Sequence, residues 1–161
     1  MPRLRNAPWL ILLAACATTP PADLGPTTRA AIDQDVRRLL DTIALDLAQT
    51  GPTGWLPHFL PGDEFFMVVD GRVVFADFAE AEASCRELAT TIGSMQLRWA
   101  EVRVQPLAPG LATFAAGYDE DLQQHAGGQL HYQGHVTGVA VRAGARWRLQ
   151  SLHWSSPAPG G

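Results

Sequence analysis

Apolar residues recur at helical spacing along the first part of this chain and at strand spacing along nearly everything after it. Ile32, Val36, Leu39, Leu40, Ile43 and Leu47 form one stripe, and Asp33, Arg37 and Asp41 form i,i+4 pairs on the other side. The pattern predicts a helix over residues 28–50, capped by Thr27 or Thr28 and stopped by Thr50-Gly51-Pro52. Residues 53–60 carry Trp55, His58, Phe59 and Leu60 among prolines, which permit a turn or two but no long helix. Phe- and Val-rich runs at 64–69 and 72–76 flank Asp70-Gly71, the preferred dipeptide of a type I′ turn. They predict a hairpin with Val68 opposite Val73 and Phe66 opposite Phe75. Both faces of this hairpin are apolar, so both are expected to be covered, by helices or by another subunit.

Asp77-Phe78-Ala79-Glu80 has the form of a capping box with Asp as the cap. It opens a helix whose stripe is Ala81, Cys85, Leu88 and Ile92, closed by Gly93. Beyond it the period becomes two. Met95, Leu97 and Trp99 keep one parity and Val102 and Val104 the other, which predicts a β-bulge near Ala100-Glu101 and a sharp bend in the sheet. Runs at 111–122, 129–141 and 146–155, turned at Gly127-Gly128 and Ala143-Gly144, complete the strands. Periodicity alone therefore describes an α+β domain with helices on a mostly antiparallel sheet.

Strict alternation along the last strand puts Trp147, Leu149 and His153 on one face and Leu152 and Trp154 on the other, so that if the first meets the core the second points outward. Two large apolar side chains facing outward predict a homodimer through that face. If the turn between Arg142 and Arg146 holds an odd number of residues, His135 lies near His153 and Val139 near Leu149, with Val136 and Ala140 facing out. An even number puts the two histidines on opposite faces.

A length of 161 residues suits one domain, and 47% hydrophobic residues exclude wholesale disorder. The N-terminus adds a location. Arg3 and Arg5 precede an apolar run at 9–13, far shorter than the ~20 residues that span a bilayer, and Leu13-Ala14-Ala15-Cys16 follows. This resembles the lipobox of bacterial lipoproteins. The resemblance implies a signal peptide over 1–15, an acylated Cys16, a flexible tether over 16–26, a domain over 27–156 and a frayed tail over 157–161. It places the protein in the bacterial cell envelope, on the periplasmic side or the cell surface, held to a membrane by the lipid on Cys16. Losing the leader removes two arginines, moves the formal charge from −4 to about −6 and leaves no basic face for nucleic acid. Cys85 is then the one cysteine besides Cys16, so no internal disulfide forms, and its place on a helix stripe predicts a buried, inert thiol.

The element order of helix, short helix, hairpin, helix and long antiparallel strands resembles the SnoaL-like branch of the nuclear transport factor 2-like superfamily. The match is clearest in His135-Val136-Thr137-Gly138-Val139-Ala140-Val141-Arg142, a Gly-containing turn, then Arg146-Trp147-Arg148-Leu149 and the ending His153-Trp154-Ser155. It covers roughly residues 28–155. The resemblance implies an α+β cone in which a bent antiparallel sheet wraps the long N-terminal helix with Trp147 and Leu149 turned toward it, a concave pocket at its open end, and dimers through the outer sheet face. It implies no single activity, since members include isomerases, cyclases, dehydratases and ligand binders. Tyr118 and Asp119 are adjacent on a strand and point to opposite faces, so the Tyr and Asp pair of ketosteroid-isomerase-like members does not map onto them.

Four of the five histidines, His125, His131, His135 and His153, fall late in the chain. His135 and His153, with Trp55 and Phe59 as an apolar wall, are the candidate pocket residues; a histidine there shuttles protons near neutral pH. No HExxH or Cys/His cluster occurs, and neither a metal nor another cofactor is expected. Asp119-Glu120-Asp121 lacks the central glycine of a calcium loop and reads as a solvated strand edge. A phosphate-cradling glycine loop and a Gly-x-Ser-x-Gly elbow are likewise absent from the sequence. The expected function is small-molecule binding in the pocket. The alternatives are an interaction or structural module using the outer sheet face, and an acid/base isomerase- or hydrolase-like enzyme.

Overall fold

Helix α1 (Pro26–Thr50) opens the computed structural model, which describes residues 24–157. All six stripe residues are buried. The helix starts at Pro26 with Gly25 as its cap, and no threonine side chain caps it. Proline suits the first turn, where its missing N–H has no intrahelical partner to lose. A 3₁₀ helix (Gly51–His58) doubles back on α1. Its approach depends on Gly54, where a Cβ would stand 2.6 Å from the backbone carbon of Asp46. His58 is buried, with Nε2 2.7 Å from Asp46 Oδ2, and ties the two helices together.

Strands β1 (Phe66–Val69) and β2 (Arg72–Phe75) form the hairpin. Helix α2 (Phe78–Leu88) follows, and then β3 (Ile92–Ala108), β4 (Leu111–Gln124), β5 (Gln129–Ala143) and β6 (Arg146–Ser155). One sheet joins them in the order β2-β1-β6-β5-β4-β3. It is mostly antiparallel, as the periodicity predicts, and departs from the fully antiparallel sheet of the resemblance in one pair, β1 parallel to β6, with Met67 opposite Leu152 and Val69 opposite Trp154. Periodicity assigns neighbours only where a short turn dictates them, and this pair joins distant segments.

Two local expectations shift. Val68 faces Val73 as predicted, but Val74 is an extra residue in β2, so Met67 rather than Phe66 meets Phe75. Phe66 and Val73 are exposed, so the hairpin is covered on one face rather than two in the single chain. Helix α2 ends at Leu88, which is exposed, and Ile92 already belongs to β3. Its cap forms with Asp77 Oδ1 accepting from the Glu80 N–H at 2.8 Å, while Glu80 Oε2 accepts from the Ala76 N–H at 2.7 Å.

The bend in β3 lies where the parity changes. Ala100 pairs with Gly117 and the next pair is Arg103 with Ala115, and Glu101 adopts a left-handed φ of 50°. The bend lets the sheet wrap α1 in a cone-like α+β arrangement, and Trp99 Nε1 donates to Leu40 O at 2.8 Å across the interface.

Another bulge decides the last strand. Ala143 pairs with Arg146 across an even, two-residue turn, and Ala140 pairs with Leu149. Gln150 is then an extra residue, and the next pair is Val139 with Ser151. Trp147 and Leu149 face α1 as predicted, with Trp147 Nε1 donating to Asp35 Oδ2 at 3.3 Å. Past the bulge the parity reverses. Leu152 and Trp154, expected outside, are 2% and 8% exposed, and Val136 and Ala140 are buried beside them. His153 points outward instead of inward, since a bulge flips every side chain beyond it. The homodimer argument built on Leu152 and Trp154 therefore loses its premise.

Candidate functional site

The reversal puts Trp154 in the wall of a concave cavity of about 330 Å³. The 3₁₀ helix contributes Trp55 and Phe59, stacked with centroids 5.6 Å apart, and their position follows from the Gly54 contact. Arg148 Nη1 donates to Pro57 O at 2.9 Å and Phe59 O at 3.1 Å and fixes that wall to β6. Trp154 meets Trp55 edge-on at 5.8 Å and Tyr118 at 4.6 Å. Met67, Val69 and Phe75 come from the hairpin, and Cys85 and Leu88 from α2. Burial pushes the Cys85 thiol up to about 11, as an inert thiol requires. The Trp154 indole N–H is buried with no hydrogen-bond partner among the described residues.

Polar groups reach this apolar space mainly from β4 and β5. Tyr118, Glu120 and Leu122 alternate along β4 and all line the cavity, and Tyr132 stands opposite Glu120 on β5. Glu120 is half-buried, and burial pushes its carboxyl up to about 7. No hydrogen bond or ion pair engages it among the described residues. A carboxyl that titrates near neutrality can accept a proton, donate one, or balance a cation. At the mouth, Asp70 Oδ1 accepts from the Ser156 N–H at 2.8 Å.

The four candidate pocket residues separate. Trp55 and Phe59 stand in the cavity wall, whereas His135 and His153 are exposed on the opposite, convex face. His153 borders a groove of about 730 Å³ on the convex face with Phe66, Val68 and Thr137. The two histidines do share a face, but His153 pairs with Thr137 and His135 with Ser155. Glu120, grouped above with a solvated edge, is the residue that the sequence reading missed. The acidic run lies inside β4, which is flanked by β3 and β5, so it is no edge. The missed signal was alternation itself, since Glu120 shares the parity of Tyr118 and Leu122.

Asp119 and Asp121 point the other way. Arg98 of β3 bonds both, at 2.6 Å to Asp121, and His131 Nδ1 lies 2.9 Å from Asp121. The Arg98 guanidinium, with help from His131, holds the Asp121 carboxyl below its ordinary range. Asp119, Asp121 and His131 bring their ligand atoms within 4.8 Å of one another, a set that a divalent cation can use. Arg98 already supplies positive charge to both carboxylates there. Among the described residues no helix is long and apolar enough to cross a membrane. The expected lipobox, Cys16 and the tether lie outside the described residues, apart from the tether's last three positions.

No family model matches the sequence, and no curated protein matches it. Solved structures do match. One is a nuclear transport factor 2-like superfamily protein from Salmonella enterica serovar Typhimurium, with a TM-score of 0.69 at 14% identity over 82% of this chain and 95% of that one. A candidate scytalone dehydratase from Novosphingobium aromaticivorans gives 0.69 at 8% identity over 79% and 85%. A candidate calcium/calmodulin-dependent protein kinase II association domain from Xanthomonas campestris gives 0.65 at 20% over 78% and 88%. At these identities the likeness is one of fold.

Proposed function

With a nuclear transport factor 2-like fold as the premise, we propose that this is a lipid-anchored envelope protein whose concave cavity binds a small, largely apolar molecule. The observation that carries the reading is the aromatic cavity of about 330 Å³, within the usual range of small-molecule sites, with one unpartnered carboxyl on its wall. A hydrophobic reporter dye should bind the domain and be lost from Leu122→Trp, which fills the cavity from β4. Equal dye binding by that variant, with its fold intact by circular dichroism, rejects the cavity as the site. Cys16→Ala should release the protein from the membrane fraction or leave it unprocessed, and unchanged partitioning rejects the anchor.

Acid/base catalysis is a second reading, favoured by the Glu120 carboxyl near neutrality. Self-association through the convex face also belongs to the proposal, now resting on the exposed Phe66 and Val73 rather than on Trp154. Sedimentation of the domain with Phe66→Glu compared with the parent tests it.

A further inference from the structure

We propose that the cavity selects a hydrophobic organic cation, an amine or quaternary ammonium on an apolar body, with Glu120 as its counter-charge and the surrounding rings as its cation–π partners. This rests on the small-molecule reading above and names the ligand class.

The charged groups of the lining are Glu120 and Asp70, both acidic, and no arginine or histidine lines the cavity among the described residues. The chain contains no lysine at all. Several acidic side chains elsewhere in the fold meet cations, as Asp35 meets Arg142, and Asp119 and Asp121 meet Arg98. Glu120 has no such partner, although a buried carboxylate is costly unless paired. Its surroundings are rings whose faces carry negative potential: Trp55, Phe59, Tyr118, Tyr132 and Trp154. Such a lining repels an anion, and a neutral ligand offers the carboxyl a hydrogen bond at most and no counter-charge. A lipophilic cation satisfies both features at once.

Other charged groups among the described residues do not engage Glu120. Asp70 from the β1–β2 turn is the one other charged side chain of the lining among the described residues. Arg98, Asp119, Asp121 and His131 stand on the reverse face of the sheet, and His58 is paired with Asp46 between the helices. Glu120 is therefore open to a cationic ligand.

The test is calorimetric titration of the folded domain with three probes that share one ring: benzyltrimethylammonium, benzyl alcohol and phenylacetate. The quaternary ammonium has no proton to lose, so its charge is fixed. At pH 8 the cation should bind about tenfold or more tighter than either other probe. Glu120→Gln should bring cation affinity down to that of benzyl alcohol. Benzyl alcohol or phenylacetate binding as tightly as the cation, or a cation preference that survives Glu120→Gln, overturns the ligand class and leaves the cavity reading standing. Failure of all three probes to bind at millimolar concentration overturns both.

Discussion

Asp119, Glu120 and Asp121 are consecutive and chemically alike, yet the two faces of the sheet give them opposite settings. On the convex side Asp119 and Asp121 share Arg98 and His131 in contact with water. On the concave side Glu120 sits without a partner among aromatic rings. The contrast separates structural charge from functional charge. Paired carboxylates in water are held in their ionised form, whereas an unpaired one in an apolar wall is driven toward its neutral form and can respond to a ligand.

The assignment of faces breaks most completely if the Gln150 bulge is removed. Deleting Gln150 forces a register slip or turns Leu152 and Trp154 outward, at roughly 1.5–3 kcal/mol for each of the two side chains. Urea denaturation should show a largely unfolded or loosely packed chain, and parental stability contradicts the assignment. Single substitutions test the same contrast more gently. Trp154→Ala should cost about 3–5 kcal/mol, while His153→Ala, its exposed neighbour, should stay within about 0.5 kcal/mol.

Acid titration separates the two kinds of carboxyl. Glu120 moves from 4.5 up to about 7 on folding, so between those values the folded chain keeps a proton that the unfolded chain has released. Its contribution is fully present below 4.5 and lost as pH rises through about 7, a swing of up to about 3 kcal/mol. Glu120→Gln should flatten that loss and raise stability at pH 8, as thermal melts across pH 4–9 will show. Asp121 runs the other way. Its folded value is lowered by Arg98 and then by His131, so its contribution is present above the ordinary aspartate range and lost as pH falls through the folded value. Asp121→Asn should soften the acid limb only, by less than the Glu120 effect because the pair is solvated. Carbon-detected NMR titration of both carboxyls resolves the two directions in one sample.

Much of the scaffold was legible in the sequence. The α1 stripe, the Asp77 cap and the β3 bulge all follow from spacing and capping rules that act over a few residues, whereas the inward turn of Trp147 and Leu149 came from the family resemblance. Trp55 and Phe59 were legible as an apolar wall, but not the Gly54 contact that sets their position. Glu120 was also within reach, since its parity with Tyr118 and Leu122 was visible. An acidic run resembles a solvated edge until its strand is known to lie between two others.

By itself the sequence determined the order and type of the elements, the stripe that α1 buries and the sharp bend in β3. These depend on local periodicity, which the chain carries wherever it folds. Only the tertiary structure decided that β1 joins β6 in parallel, that Gln150 is an extra residue, and hence that Trp154 rather than His153 enters the cavity. Alternation establishes which residues share a face, but one unpaired residue reverses that face for everything beyond it. Whether a strand takes up such a residue depends on the partner strand and the helix packed against it, and that information is spread across distant parts of the chain.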